Sequence, residues 1–307
     1  MKQPKWSAVL PLVAYFNICF FWGTSSVANK LGSSALDPWM VGVVRFCGAS
    51  ALLAVWMLVR RIPFRYTKKD LKVLGIGAFL LYFLNTLLLL LASTRVDASI
   101  TIVVLCLIPV VMVLVDSLSQ RHLQIGRLGL WGTAGGFVGV AIAAGSGILS
   151  GRADLVGVAM LLCSVVVWCV GTIYLKYRSV SVGFVQQLFL QSAVPAAAFV
   201  CCAVALGRFH PSQVTWGGAL PALYMGVADS IIGLTSYIYL LKRWKTSMVA
   251  TYAYINPLVG MVLSALVLQE QITPQKVVGM ALVLLSVLLI REDERLRVRR
   301  QQAEEAV

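Results

Sequence analysis

Ten apolar runs, each about 20 residues long, follow one another along the chain with only short polar connectors between them. A helix of about 20 residues is what crossing a hydrocarbon core of about 30 Å requires. An unpaired backbone group costs several kcal/mol in lipid, so each run must fold as a helix that satisfies its own N–H and C=O groups. The sequence therefore predicts an all-α membrane protein with ten transmembrane helices. The predicted spans are Ala8 to Asn29, Pro38 to Leu58, Leu71 to Leu91, Ala98 to Val115, Gly126 to Ser146, Leu155 to Leu175, Phe184 to Leu206, Ala219 to Leu241, Thr246 to Leu268 and Pro274 to Ile290.

The composition excludes a soluble enzyme or a DNA-binding protein. Hydrophobic residues make up 59% of the chain and charged residues 12%, about half the charged share of soluble domains. The net charge of +14 is explained by topology, because a cytoplasmic N-terminus places 20 of the 26 basic residues on the cytoplasmic side, as the positive-inside rule requires. We expect both termini in the cytoplasm, a location in the inner (plasma) membrane, and no nucleic-acid partner. The basic residues predicted outside are Lys30, Arg95, Arg152, Arg208 and Lys276.

The chain also resembles itself at a fixed spacing. Trp22 is followed eight residues later by Lys30, and Trp168 is followed eight residues later by Lys176, an offset of 146. A second set of matches, offset by 148, relates Arg95 and Pro109 to Arg243 and Pro257. Each copy contains five predicted helices, and five is odd, so the second copy enters the membrane from the opposite side. The sequence thus predicts two inverted five-helix repeats.

Inverted repeats are a construction used by secondary transporters, in which two near-equivalent halves alternate around one central site. We divide the chain into a first repeat at 1–150, a second, inverted repeat at 151–291 and a charged cytoplasmic tail at 292–307. The alternative is a duplication retained for packing alone.

Several short motifs, in register and in order, resemble the ten-helix EamA-type transporters of the drug/metabolite transporter superfamily. They are Phe21-Trp22-Gly23-Thr24-Ser25 in the first helix, Arg45-Phe46 in the second, Ala250-Thr251-Tyr252-Ala253-Tyr254-Ile255-Asn256-Pro257 in the ninth, then Glu270 and Gly279. The resemblance implies a central cavity lined by the first four helices of each half, and movement of small metabolites, often amino acids or toxic organic compounds, usually outward. One position departs from internal symmetry. Glu270 lies thirteen residues after Pro257, whereas the residue thirteen positions after Pro109 is His122 and not an acidic residue.

Two charged residues, Arg45 and Asp229, lie inside predicted spans. A charge near the bilayer centre costs at least about 2.5 kcal/mol, so such residues face the bundle interior and have a partner. Both lie on the order of 10 to 15 Å below the outer surface, at 1.5 Å per residue, and we expect them to be able to form an ion pair. One hypothesis is that Arg45 receives a substrate carboxylate while Asp229 receives a substrate ammonium group or a coupling proton. The alternative is a permanent ion pair between two helices.

Uncharged polar and aromatic residues form a second tier of substrate-binding candidates. They are Asn17, Trp22, Thr24, Asn85, Trp168, Gln187, Gln191, Tyr252 and Asn256. The two tryptophans could stack on an aromatic or apolar part of the substrate or anchor the chain at an interface. Polar side chains also join helices for about 0.6 to 2 kcal/mol each, so helix packing is the alternative for each residue.

The sequence lacks the chemistry of an enzyme or a pump. It has no P-loop ending in Gly-Lys-Ser/Thr, only two histidines, no metal-binding cluster and no nucleophile with a base nearby, so we predict no cofactor. Glycine pairs at 132–136 and 135–139 allow close helix approach, either within the fifth helix's own packing or in a weak homodimer, so the chain is predicted to be a monomer or a weak homodimer.

These observations together favour a secondary transporter that exports amino acids or related amphipathic compounds across the bilayer, with protons as a candidate coupling ion. The alternatives are an importer or a nucleotide-sugar-type exchanger, and, from another class, an intramembrane enzyme or scaffold.

Overall fold

A computed structural model describes residues 6–119, 126–241, 243–244, 246–249 and 251–305, and within them every regular element is a helix. We number the helices by predicted span: α1 (Trp6–Ala35), α2 (Pro38–Val59), α3 (Lys68–Ser93), α4 (Ala98–Leu105 and Ile108–Ser119), α5 (Arg127–Leu149), α6 (Leu155–Lys176), α7 (Phe184–Ala205), α8 (Trp216–Tyr224, Met225–Gly233 and Leu234–Leu241), α9 (Thr246–Val249 and Tyr252–Val267) and α10 (Pro274–Glu305). Each predicted span coincides with one of them. In the described residues nine are long and apolar enough to cross a membrane, and Tyr252–Val267 is a shorter apolar helix. His122 lies outside the described residues.

Two helices extend further than hydropathy predicts. The first was expected to end at Asn29 and continues to Ala35, and the last was expected to end at Ile290 and continues to Glu305. Hydropathy marks where a helix leaves the hydrocarbon, whereas the helix itself continues as long as its backbone hydrogen bonds do.

Side chains of the connectors fix where several helices begin. The Asp37 carboxylate accepts a hydrogen bond from the Trp39 N–H at 2.9 Å, and Pro38 occupies the first helical position of α2, both favourable at a helix N-terminus. Thr67 and Asp70 form a reciprocal capping box at the start of α3. These caps separate apolar runs that would otherwise merge.

Several helices have internal irregularities. The third helix of each half contains a π-helical segment, Phe79–Leu84 in α3 and Met225–Gly233 in α8; such segments are rare and frequent at functional sites. The fourth helix is interrupted at 106–107, and Pro109 is the second residue of the segment that follows. Proline cannot donate to the helix, and its ring clashes with the preceding turn.

The helices repeat in register. The starts of α2 and α7 are 146 residues apart, those of α3 and α8 and of α4 and α9 are 148 apart, and those of α5 and α10 are 147 apart. Packing follows the same relation, since α2 packs on α7 and α5 on α10, while α1 packs on α8 and α9 and α6 on α3 and α4. Each half thus places its first helix against the third and fourth helices of the other half.

Glycines allow the close approach of α5 and α10. A Cβ atom added to Gly139 would lie 2.6 Å from the Gly279 carbonyl oxygen, and one added to Gly132 would lie 2.9 Å from the Ser286 carbonyl oxygen. Gly135, by contrast, has open space where its Cβ would lie. The spacing from Gly132 to Gly136 therefore serves packing within the chain.

Candidate functional site

Arg45 and Asp229 connect a helix of the first half to a helix of the second half. Arg45 lies on α2 of the first half, and Asp229 lies in the π-helical segment of α8 in the second half. The Arg45 Nη2 atom is 2.8 Å from Asp229 Oδ2, and the two side chains are 7% and 18% exposed. The similar depth predicted from span position is thus realised as a buried ion pair.

Neighbouring side chains hold both members of the pair. The Ser25 hydroxyl of α1 donates to Asp229 Oδ1 at 2.9 Å, while Arg45 Nη2 also donates to the Ser230 hydroxyl at 3.3 Å. The guanidinium carbon lies 5.1 Å from the centre of the Phe46 ring, within the range of a cation–π contact. The Arg45 Nε–H group is buried and has no hydrogen-bond partner among the described residues, so it is available to bind an acceptor group of a ligand.

Trp22 connects the ion pair to an aromatic cluster. Its indole N–H donates to the backbone carbonyl of Asp229 at 3.1 Å. Its ring centroid lies 5.5 Å from that of Tyr237 and 5.1 Å from that of Tyr252. One wall beside the charges is therefore built from large aromatic faces.

Thr24 lies on the other side of α1 and reaches α8. Its hydroxyl is 2.6 Å from the Tyr224 hydroxyl, and the Tyr224 ring packs edge-on to Phe21 with centroids 6.0 Å apart. Trp22, Thr24, Arg45, Asp229 and Tyr252 are therefore the predicted site residues that the structure brings together.

Trp168 approaches the same region from the opposite half through Tyr82 of α3. The two ring centroids are 6.5 Å apart, in an edge-to-face arrangement. Tyr82 in turn lies within electrostatic range of both Arg45 and Asp229. Tyr82 belongs to the π-helical segment of α3, the counterpart of the segment that carries Asp229.

The hydrogen bonds of the remaining predicted residues are to groups other than the ion pair, and they join helices or fix a helix start. Asn17 donates to the Ser236 hydroxyl at 3.3 Å, and the buried Asn85 donates to the Ser164 carbonyl at 2.9 Å. Gln187 donates to the Val182 carbonyl at 3.0 Å. With its side-chain amide turned by 180°, Asn256 donates to the Cys19 and Tyr252 carbonyls at 3.1 Å each. Gln191 is half-buried on α7.

Four residues of the site were missed or set aside in the sequence reasoning: Ser25, Tyr82, Tyr224 and Ser230. Hydropathy does not distinguish a serine or tyrosine that faces a charge from one that faces lipid. The internal repeat was the available signal for Tyr82, because an offset of 148 from α3 to α8 relates it to Ser230, next to Asp229. Among the described residues, no group of three or more His, Cys, Asp or Glu side chains could hold a metal ion.

Comparison with known proteins agrees with this architecture. The model of the EamA-like transporter family matches the chain twice, at residues 10–145 and 155–291. The chain belongs to the EamA-like transporter family. It is a member of the drug/metabolite transporter superfamily, a membrane transporter and not an enzyme. The two matches correspond to the two sets of five helices described above.

Individual relatives of this EamA-like transporter span nearly its whole length. The uncharacterized inner membrane transporter YedA of Escherichia coli is 24% identical over 287 residues, covering 93% of this chain and 92% of YedA. An uncharacterized transporter of Clostridium kluyveri is 25% identical over 280 residues, covering 88% of this chain and 89% of its own. A solved crystal structure of a protein at 16% identity has a TM-score of 0.60, covering 93% of this chain and 98% of its own, which supports the fold.

Proposed function

We propose that this EamA-like transporter moves small organic metabolites by alternating access, and that it exports amino acids or related amphipathic compounds. The observation that carries the proposal is the buried Arg45–Asp229 pair, which joins one helix from each half. In transporters built from inverted repeats, the substrate site lies at the interface of the repeats. The proposal includes the division at residues 150 and 291, cytoplasmic termini and a cytoplasmic tail at 292–307.

The charge balance of the pair favours a zwitterion. Arg45 and Asp229 neutralise each other, so a ligand with one carboxylate and one ammonium group replaces their mutual contact without leaving a net charge in the membrane. An arginine fork binds a carboxylate through two parallel N–H groups, and the buried Nε–H of Arg45 has no partner in the part of the chain that the structure describes. A nucleotide-linked sugar carries several negative charges, which one neutralised cation does not balance.

The aromatic wall favours a substrate with an apolar or aromatic side chain. Trp22, Tyr237 and Tyr252 contact one another, and the Trp22 indole N–H donates to the backbone carbonyl of Asp229. Aromatic faces bind apolar groups by area and bind cations through the ring quadrupole. An amphipathic amino acid therefore matches both parts of the site.

Asp229 is also the residue that we propose for coupling. A substrate ammonium group and a proton compete for the same carboxylate, so protonation of Asp229 would release the substrate and exchange one positive charge for another. The other predicted lining residues remain in the proposal, because an alternating cycle breaks and remakes helix contacts; they are Asn17, Asn85, Trp168, Gln187, Gln191 and Asn256.

Counterflow in proteoliposomes tests the proposal. Purified protein is reconstituted with a mixture of unlabelled amino acids inside, and uptake of each labelled amino acid is measured at several pH values. We expect accumulation of at least one amphipathic amino acid, and loss of that accumulation in Asp229→Asn. The matched control is Glu292→Gln, which removes an exposed carboxylate from the Glu292–Arg295 pair of α10 and should leave counterflow intact. Unchanged transport and unchanged pH dependence in Asp229→Asn would remove Asp229 from the mechanism.

The direction of transport is tested separately, because counterflow measures exchange across the membrane in either direction. Inside-out vesicles with an imposed proton gradient should take up the substrate if the protein exports it. Uptake by right-side-out vesicles alone would instead favour import.

A further inference from the structure

Lys30 and Lys176 are equivalent residues of the two repeats that take no part in the site described above. Each follows its tryptophan by eight residues and lies near the end of the first helix of its half. In a symmetric pair of halves, the two ammonium groups would make the same contacts at opposite ends of the bundle. They do not.

Lys30 fastens α1 to the end of α3 within the first half. Its Nζ atom donates to the backbone carbonyls of Ser93 at 2.7 Å and Val96 at 2.9 Å. Close by, the hydroxyls of Ser33 and Ser93 lie 2.5 Å apart. A lysine ammonium group at the carbonyl end of a helix satisfies groups that have no partner within the helix and complements the helix dipole.

Lys176 makes a different contact, across the two halves. Its Nζ atom is 2.7 Å from Asp116 Oδ2 on α4, and the neighbouring Tyr177 hydroxyl donates to the other carboxylate oxygen of Asp116 at 2.7 Å. Lys176 belongs to the second half and Asp116 to the first. The second lysine is therefore held away from the position that its repeat partner occupies.

The turn that Lys30 uses exists in both halves. The Ala92 carbonyl accepts hydrogen bonds from the N–H groups three and four residues later, at 2.8 and 2.9 Å. The Leu240 carbonyl, 148 residues further along, accepts from the N–H groups three and four residues later, at 2.9 and 2.7 Å. The same offset makes the carbonyls of Leu241 and Trp244 the counterparts of the two that bind Lys30. It also relates Asp116 to Ser264, which carries no charge.

We propose that Lys30 and Lys176 are alternating latches of the transport cycle. In the state described here, Lys30 holds α1 on the end of α3 and Asp116 retains Lys176. In the opposite state, Lys30 releases these carbonyls, and Lys176 leaves Asp116 and fastens α6 to the end of α8 through the carbonyls of Leu241 and Trp244. The inference rests on the alternating-access transport proposed above, in which two near-equivalent halves exchange their conformations.

Asp116 then sets the balance between the two states. It opposes the second latch, and no carboxylate stands at the equivalent position to oppose the first. Removing this charge should favour the state in which Lys176 is latched, and it should do so only while Lys176 is present. That dependence separates a latch from a general loosening of the bundle.

Distances between spin labels test the latches in nanodiscs without substrate. One pair of labels, at Ser34→Cys and Thr94→Cys, reports the Lys30 end; another pair, at Arg178→Cys and Arg243→Cys, reports the Lys176 end. All four positions are exposed, and the seven native cysteines are first replaced in a background that still folds. Double electron–electron resonance gives the ratio of short to long distances for each pair.

Asp116→Asn should raise the short-distance population at the Lys176 end by up to about fivefold, since a partly exposed ion pair contributes about that much. The same substitution should have no effect in a Lys176→Met background. Lys30→Met should raise the long-distance population at its own end by about tenfold or more, because it removes two hydrogen bonds to a charged group, and Lys30→Arg should restore it. Asp154→Asn, which breaks an exposed pair with Arg95 at 2.7 Å, is the matched control and should change neither ratio.

The latch proposal is refuted if the effect of Asp116→Asn persists without Lys176. It is also refuted if the distances are unchanged in Lys30→Met. Counterflow on the same variants separates this result from the fate of the proposed function. A protein that exchanges amino acids while its distances stay fixed overturns the latches and leaves transport intact. A protein whose distances shift as expected but that exchanges no amino acid supports the latches and overturns the proposed substrate.

Discussion

The buried ion pair predicts an asymmetry between two substitutions that remove one charge each. Arg45 and Asp229 are 7% and 18% exposed, so either substitution leaves the other charge largely without water. Breaking a buried pair in this way costs about 3 to 5 kcal/mol of folding free energy. The two orphaned groups differ, however, because a carboxylate can take up a proton whereas a guanidinium group cannot lose one.

That difference makes the cost of Arg45→Met depend on pH. Protonating a carboxyl group with an ordinary pKa near 3.9 costs about 4 kcal/mol at pH 7 and about 1.5 kcal/mol at pH 5, at 1.36 kcal/mol per pH unit. Proton uptake therefore limits the destabilisation of Arg45→Met to about 4 kcal/mol at pH 7 and about 1.5 kcal/mol at pH 5. Asp229→Leu leaves a permanent cation and should cost about 3 to 5 kcal/mol at both pH values.

Reversible unfolding of the purified protein in mixed micelles, followed by tryptophan fluorescence at pH 7 and pH 5, measures these free energies. The double variant Arg45→Met with Asp229→Leu serves as the control, because replacing both charges by apolar side chains of similar size is often neutral or stabilising. It should regain most of the stability and still lack counterflow. The reasoning is refuted if Arg45→Met is as destabilised at pH 5 as at pH 7, or if the double variant is no more stable than Asp229→Leu.

Three further predictions concern the scaffold. Gly139→Leu should lower the free energy of unfolding by about 1 to 3 kcal/mol or more, because its Cβ would lie 2.6 Å from the Gly279 carbonyl oxygen. Gly135→Leu is the control and should unfold like the parent, because its Cβ meets open space. Equal losses in the two variants would contradict the packing argument. Glu270→Gln should cost about 1.5 to 3 kcal/mol in the same unfolding assay, since its carboxylate accepts two backbone N–H groups at the start of α4 at 2.7 and 2.9 Å; no loss would exclude the cap. A backbone N–H and an arginine side chain hold the pKa of the Asp154 carboxyl below its ordinary value. The carboxylate therefore stabilises the folded protein at neutral pH, and this stabilisation is lost as pH falls through the lowered pKa. The difference in melting temperature between the parent and Asp154→Ala should narrow below about pH 4, and a wider difference would argue against this linkage.

The helices could be predicted from sequence because the membrane imposes a single length and a single secondary structure on each run. The helix ends could not, since α10 continues as a charged helix past Ile290, where hydropathy no longer applies. The π-helical segments were also unpredicted. A π-helical turn leaves the hydropathy of the run unchanged, so the sequence gives no sign of it. The wider turn rotates the side chains that follow it, and Asp229 lies in such a turn.

The centre of the site could be predicted from sequence for an energetic reason. Arg45 and Asp229 are charges inside apolar runs, and burial in a membrane forces such charges to find each other. The neutral candidates carry no comparable constraint: Trp22 contacts the backbone of Asp229, whereas Asn17 and Asn85 bond to Ser236 and Ser164 on other helices. Tyr82 and Ser230 were overlooked because their importance comes from the fold, which places them beside charges that are distant in sequence.

The side chains, and not the helices, make the two halves unequal. The starts of the second to fifth helices repeat with offsets of 146 to 148 residues, and the turns after α3 and α8 share the same hydrogen bonds. Arg45 is matched by Gln191 and Asp229 by Leu81, so one half supplies the candidate site's cation and the other its anion. Two halves with equal backbones give two states of nearly equal energy, and only unequal side chains can bias that balance or bind an asymmetric ligand. A zwitterion, which has one end for each charge, is the ligand that such an arrangement distinguishes.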